Sequence, residues 1–219
     1  MRFDRSKYLP DLTTFLLIRH ALCDPLGRSI AGRQPGIHLN DSGRRQAQRL
    51  AERLQLLTLD GIYSSPLERA SETAQPIARA TGRQVQTADA WNEIDFGEWT
   101  GRTFADLDPL PEWRRFNTFR SSSTIPGGEN MAEVLGRVLR DLDRLRRLHP
   151  APTACVAVVS HGDVLRSLVA HTLGVPLDEF QRLEISPASV STLEITDNGP
   201  RLLLLNSTDG WPGGLGAPA

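Results

Sequence analysis

Two short aliphatic runs, each closed by a histidine, constrain this chain more than anything else in it. Thr14 to His20 reads T-F-L-L-I-R-H, and Ala154 to His161 reads A-C-V-A-V-V-S-H and runs straight into Gly162. Runs of this length, rich in aliphatic side chains and closed by polar residues, are what strands buried on both faces of a parallel sheet look like. Open sheets of that kind bind ligands in the crevice outside the carboxyl ends of their strands. A lone histidine after a strand merely caps it. Two strands that deliver His20 and His161 to the same kind of place, with Arg19 beside the first, point to a joint site.

The rest of the chain supplies the other layers of an α/β domain. Asn40-Asp41-Ser42-Gly43 is a helix-start cluster, and Ala47, Leu50, Ala51 and Leu54 then recur at helical spacing. Gly61 to Ser65 reads as a short strand, and Pro66 predicts the first turn of a helix over Pro66–Ala80. Arg69 falls early in that helix, at the sheet end where a strand has just finished. A helix start there is also a natural anion site. A turn at Pro126 to Asn130 leads into a helix through Leu148, with Val134, Leu135, Val138, Leu142 and Leu145 as its core stripe. Glu133, Arg137, Asp141 and Arg144 are expected to pair on the opposite face. Ser189–Ile195 and Arg201–Leu205 read as two strands joined by an Asp-Asn-Gly turn. The expected architecture is a single three-layer α/β/α domain with a mostly parallel central sheet over residues 13–206. Residues 1–12 read as an extension and residues 207–219 as a flexible tail.

Composition narrows the function classes. With 39% hydrophobic residues, 23% charged residues and a net charge of −1, the chain is an ordinary globular protein, and neither nucleic acid nor an anionic membrane is an expected partner. No stretch reaches the roughly eighteen apolar residues of a membrane helix, and the polar start has no signal-peptide core, so a cytoplasmic location is expected. Cys23 and Cys155 form neither a metal spacing nor a disulfide framework, and Cys23 is a weak nucleophile candidate beside His20. Lys7 is the only lysine, so an arginine carries weight only where another signal places it. Arg28 and Arg33, in the long loop from Ala21 to Gly36, could face an anion or simply solvent.

Trp91 to Gly101, W-N-E-I-D-F-G-E-W-T-G, mixes three acids with two tryptophans. A carboxyl held among apolar rings can be kept protonated for acid catalysis, but the pattern does not say whether Glu93, Asp95 or Glu98 is that acid. Two histidines, a few arginines and one acid suit phosphoryl transfer through a phosphohistidine. A neutral imidazole attacks phosphorus, cations neutralise the equatorial oxygens, and an acid protonates the departing alcohol.

Six motifs occur together and in order: L-L-I-R-H at 16–20, G-x-x-Q-A at 43–47, Y-S-S-P-L-x-R-A-x-x-T-A at 63–74, N-E-I-D-F-G-E-W-T-G at 92–101, P-G-G-E at 126–129 and V-V-S-H-G at 158–162. On these the chain resembles the histidine phosphatase superfamily, in its phosphoglycerate mutase-like branch. The resemblance implies that His20 becomes phosphorylated, that Arg19, Arg69 and His161 bind the phosphoryl group, and that Glu93 is general acid and then base. Gly162 would add a backbone N–H. It implies no metal or other cofactor, a small phosphorylated metabolite as substrate, and an assembly state compatible with a homodimer.

Ala21 and Leu26 stand where the family usually carries Gly and Asn, which bears on the loop backbone and on one phosphate contact that Arg28 would have to replace. Trp113-Arg114-Arg115, in a helix expected to cover the site, resembles a mutase segment that grips a second anionic group. The short insert between Glu93 and Pro126 favours a phosphatase over a mutase. A non-catalytic phosphate-binding module and a metal hydrolase built on His161 and Asp163 are the readings from other classes.

Overall fold

The computed structural model describes residues 12–209. The extension and tail read from the sequence fall largely outside the described residues. A six-stranded sheet forms the middle layer. Its strands are β1 (Leu12–Arg19), β2 (Gly61–Ser64), β3 (Val85–Thr87), β4 (Thr153–Ser160), β5 (Val190–Thr196) and β6 (Gly199–Ser207), in the order β3-β2-β4-β1-β5-β6. The first four in that order pair in parallel, while β5 runs antiparallel to β1 and β6 antiparallel to β5.

Strand alternation sorts the core into two halves, as a strand with both faces covered requires. Leu16 and Ile18 of β1, with Ala157 and Val159 of β4, pack with α1 (Asp41–Leu54) and α2 (Glu68–Thr81). Phe15 and Leu17, with Val156 and Val158, face the other way. They pack among residues of the helices numbered here α5 (Met131–Leu148) and α6 (Gly162–Leu173). Two short helices, α3 (Phe104–Leu107) and α4 (Pro111–Thr118), add Leu107, Trp113 and Phe116 to this second half of the core. Among the described residues no helix is long and apolar enough to cross a membrane.

Local signals explain most boundaries. Asn40 caps α1 by accepting from the Gly43 N–H at 2.8 Å. Asn130 and Glu133 form a reciprocal capping box that starts α5. Two expectations change. Helix α2 begins at Glu68, so Pro66 lies before it and Leu67 is the cap. The expected ladder of four charges on α5 also breaks up. Asp141 does pair with Arg144 at 2.6 Å, but Glu133 is used by the cap and Arg137 turns toward Glu129. A half-buried arginine gains more from a fixed partner in a neighbouring loop than from an exposed one on its own helix.

The topology creates a crevice at one place. The helices after the adjacent strands β1 and β4, α1 and α6, leave toward opposite faces of the sheet. That is a topological switch point at the strands' carboxyl ends.

Candidate active site

Register brings the two histidines together. In the parallel β1/β4 pair Arg19 lies opposite Ser160, so the next residue of each chain segment, His20 and His161, emerges side by side. The His20 N–H donates to the Ser160 carbonyl at 2.9 Å, and the imidazole centroids are 5.2 Å apart. Both rings are buried. His20 Nδ1 lies 2.8 Å from the Ala21 carbonyl. A carbonyl only accepts, so Nδ1 carries the proton and Nε2 keeps its lone pair. Burial, then the neighbouring Arg69 and Arg19, depress the His20 pKa to about 3. Burial and Arg69 likewise hold His161 well below the ordinary histidine value. Both rings are therefore neutral at physiological pH, which suits one of them to be a nucleophile.

Ala21 occupies this turn without strain. It is buried and is not among the residues at positive φ, and its N–H donates to Thr73 Oγ1 at 3.0 Å. No glycine is needed here, and the loop after His20 keeps its hydrogen bonds.

Arg69, although on a helix start, is buried, with Nη2 donating to the Gly32 carbonyl at 2.8 Å. Arg19 donates from Nη1 to the Ile185 carbonyl. Its guanidinium lies over the start of α6, so close that a Cβ on Gly162 would meet Arg19 Nε and Cζ at 3.2 Å. A larger residue at 162 would displace the arginine. Buried nitrogens of three residues, Arg19 Nε, Arg69 Nη1 and His161 Nδ1, have no hydrogen-bond partner. Buried donors are normally satisfied. Unpaired donors on two arginines and an unpartnered histidine nitrogen, beside a helix N-terminus, fit a tetrahedral anion.

Geometry also selects among the three acids. Glu93 Oε2 lies 3.7 Å from His161 Nδ1, and the Glu93 side chain is only 15% exposed. Burial raises its pKa, against the pull of Arg69. Asp95 instead faces Arg33 at 3.5 Å, and Glu98 is exposed. The tryptophans of this segment are core: Trp91 Nε1 donates to Asp141 at 2.7 Å, and Trp99 packs edge-on against Trp113 and Phe116 of α4.

The Glu93 loop is clamped from behind. Arg33 Nε and Arg137 Nη2 both donate to the Glu93 carbonyl, at 2.9 and 3.2 Å. Both guanidinium groups also bind the Glu129 carboxylate, at 2.8 and 3.0 Å. The clamp depends on two close backbone approaches, since a Cβ on Gly97 would meet the Pro126 carbonyl oxygen at 2.2 Å and one on Gly128 the Asp95 carbonyl oxygen at 2.2 Å. Arg33 is thus a support for Glu93 rather than an anion ligand. Replacing Glu129 with alanine leaves two partly buried arginines without their shared partner. The expected cost is about 2–3 kcal/mol, below the value for a fully buried pair because these groups keep some exposure. Chemical denaturation measures it as a lower midpoint at unchanged slope.

Arg28, Arg114 and Arg115 are exposed, and Arg114 Nε donates to the Asp108 carbonyl at 2.9 Å. The charged residue that links this region to the site is Arg120, which sequence reasoning missed. It is buried, lies over the Phe116 and Phe180 rings and pairs with Asp163 at 2.9 Å. Asp163 also takes Arg166 at 2.8 Å, so both its oxygens bind arginine rather than standing with His161 as a metal ligand pair. Among the described residues no group of three or more His, Cys, Asp or Glu is placed to hold a metal ion. Burial raises the Cys23 thiol pKa, the wrong direction for a nucleophile. Ser65 was another omission: it lies 2.8 Å from His161 Nε2, and only the β2/β4 pairing puts it there.

Several known proteins are similar to this chain. Residues 15–208 match the Histidine phosphatase superfamily (branch 1). Phosphoserine phosphatase 1 of Hydrogenobacter thermophilus is 35% identical over 201 residues, covering 90% of this chain and 93% of that one. Phosphoglycerate mutase-like protein 4 of Arabidopsis thaliana is 35% identical over 173 residues, covering 76% and 73%. The native structure of a mycobacterial glucosyl-3-phosphoglycerate phosphatase superposes with a TM-score of 0.81 at 26% identity, covering 90% of this chain and 99% of that one. With a family match across nearly all described residues and two histidines, two arginines and an acid gathered at one switch point, the chain belongs to the histidine phosphatase superfamily, branch 1, as an enzyme of the phosphomonoesterase class.

Proposed function

We propose that this protein hydrolyses small phosphomonoesters through a phosphohistidine on His20. The observation that carries the reading is the buried, neutral His20, with its Nδ1 committed to the Ala21 carbonyl and its pKa depressed to about 3, in a site with unpaired nitrogens on Arg19, Arg69 and His161. Nε2 attacks phosphorus and a P–N bond forms. The ester P–O bond breaks with its electron pair on the alcohol oxygen, and the Glu93 carboxyl gives that oxygen its proton. The three cationic or polar side chains take the equatorial oxygens as charge spreads over them. Water then attacks the phosphohistidine, Glu93 carboxylate takes a water proton, and the P–N electron pair returns to Nε2.

Hydrolysis is favoured over mutase transfer because the insert between Glu93 and Pro126 is short. Arg114, the first arginine of the mutase-like segment, has its Nε taken by the Asp108 carbonyl at 2.9 Å. The names of two similar proteins, a phosphoserine phosphatase and a glucosyl-3-phosphoglycerate phosphatase, support hydrolysis of a small anionic metabolite. Incubation with a panel of monophosphates, phosphoserine and phosphoglycerates included, in excess chelator should release inorganic phosphate. Phosphoryl transfer to an added acceptor in preference to water would replace hydrolysis by the mutase reading, and inactivity across the panel would remove both.

A further inference from the structure

Neutral His161 carries one ring proton, and which nitrogen holds it decides whether the ring can donate to a phosphoryl oxygen. Its two nitrogens have different surroundings. Nε2 lies 2.8 Å from Ser65 Oγ. Nδ1 is buried without a hydrogen-bond partner, 3.7 Å from the Glu93 carboxyl, and Arg69 and Arg19 are close enough to act on the ring's charge.

The Ser65 hydroxyl has one proton to give. Its oxygen already accepts from the Leu67 N–H at 3.3 Å, and His161 Nε2 is the acceptor within reach. The Ser65 backbone is held as well: its N–H donates to the Val159 carbonyl at 2.9 Å, and its carbonyl accepts from Ser64 Oγ at 2.9 Å. The opposite arrangement, with Nε2–H donating to Ser65, would leave the Nδ1 lone pair to face the incoming anionic phosphoryl group, which is repulsive in a buried site.

We infer that Ser65 is a positioning residue whose hydroxyl donates to His161 Nε2, fixing the Nδ1–H tautomer and so aiming a donor at the phosphoryl site. The inference rests on the phosphatase reading for its consequence, but the tautomer itself is a property of the resting protein. Ser65 touches no substrate. It acts through His161, as the outer partner of a metal-bound or catalytic histidine does.

Two-bond proton–nitrogen correlations on the full protein with 15N-labelled histidine read the tautomer directly, with His161→Asn used only to assign the signal. The wild type should show His161 protonated at Nδ1. In Ser65→Ala that pattern should give way to a mixture, and kcat should fall about 10–100-fold, at or below the effect of losing one transition-state donor. Ser65→Thr should restore the tautomer and most of the rate. Wild-type His161 protonated at Nε2, or Ser65→Ala keeping a pure Nδ1–H signal, would overturn the inference. The wild-type and threonine spectra decide it even where the alanine variant does not fold. A wild type with Nδ1–H that hydrolyses no monophosphate would leave the tautomer assignment standing and sink the phosphatase reading alone.

Discussion

Replacing His20 with alanine should lower phosphomonoester hydrolysis by about 10⁴-fold or more, the range expected when a covalent nucleophile that works as one unit with its neighbours is lost. The size follows from exclusivity. Among the groups beside the unpaired donors, His20 alone presents a neutral nitrogen with a free lone pair, because Nδ1 is committed to the Ala21 carbonyl. Cys23 cannot substitute, since burial raises its thiol pKa. Rapid quenching with 32P-labelled ester should trap an acid-labile phosphoenzyme in the wild type and none in the variant. Labelling that persists in His20→Ala would show that the phosphoryl group goes elsewhere.

The same substitution should alter acid stability. A histidine with an ordinary pKa of 6.5 when unfolded and about 3 when folded stays neutral in the fold while the unfolded chain takes up a proton. Its contribution is fully present above pH 6.5 and is lost as pH falls toward 3. Part of the acid destabilisation should therefore disappear in His20→Ala, while His161, shifted in the same direction, and the depressed carboxylates of Asp163 and Glu129 keep their share.

Glu93→Gln should be the second most damaging change, and its effect should depend on the leaving group. For an alkyl phosphate the departing oxygen needs a proton, and the loss should be about 10²–10⁴-fold. For an aryl phosphate such as p-nitrophenyl phosphate the first step is nearly spared. Hydrolysis of the phosphohistidine still lacks its base, so phosphoenzyme should accumulate. The pH dependence has a definite sign. Burial raises the Glu93 pKa, and the first step uses the protonated form, so kcat/KM for the alkyl ester should fall as pH rises through that pKa. The alkaline limb should be missing in Glu93→Gln. Equal losses in kcat/KM for alkyl and aryl esters, or a limb that survives the substitution, would assign the proton transfer to another group.

Much of the scaffold is legible in the chain because it rests on short-range periodicity. The continuous aliphatic runs at 14–18 and 154–159 demand cover on both faces, and both strands lie within such cover. The stripes of α1 and α5 needed only residues three and four apart, and Val134, Val138, Leu142 and Leu145 are core. Charges were read less well. An arginine's partner depends on what folds back against it, so Arg33 and Arg137, which pattern left to solvent or to neighbours on the same helix, instead hold the carbonyl of Glu93 through Glu129. Composition and spacing within the 91–101 segment do not separate its three acids, and only the motif resemblance pointed to Glu93. Burial beside His161 separates them.

What the sequence determined by itself was the set of parts: two buried strands ending in histidine, an arginine at a helix start, an acidic aromatic loop, and a motif order specific enough to identify the family. Tertiary structure alone decided how those parts meet. The parallel register that sets Arg19 opposite Ser160 and Ser64 opposite Val159 joins residues more than ninety positions apart in the chain. It places Ser65 against one nitrogen of His161 and leaves the other without a hydrogen-bond partner, 3.7 Å from Glu93. Local propensity acts over a few residues, whereas register is a property of the assembled sheet. The direction in which a buried proton points is therefore written in the pairing of strands and not in any one of them.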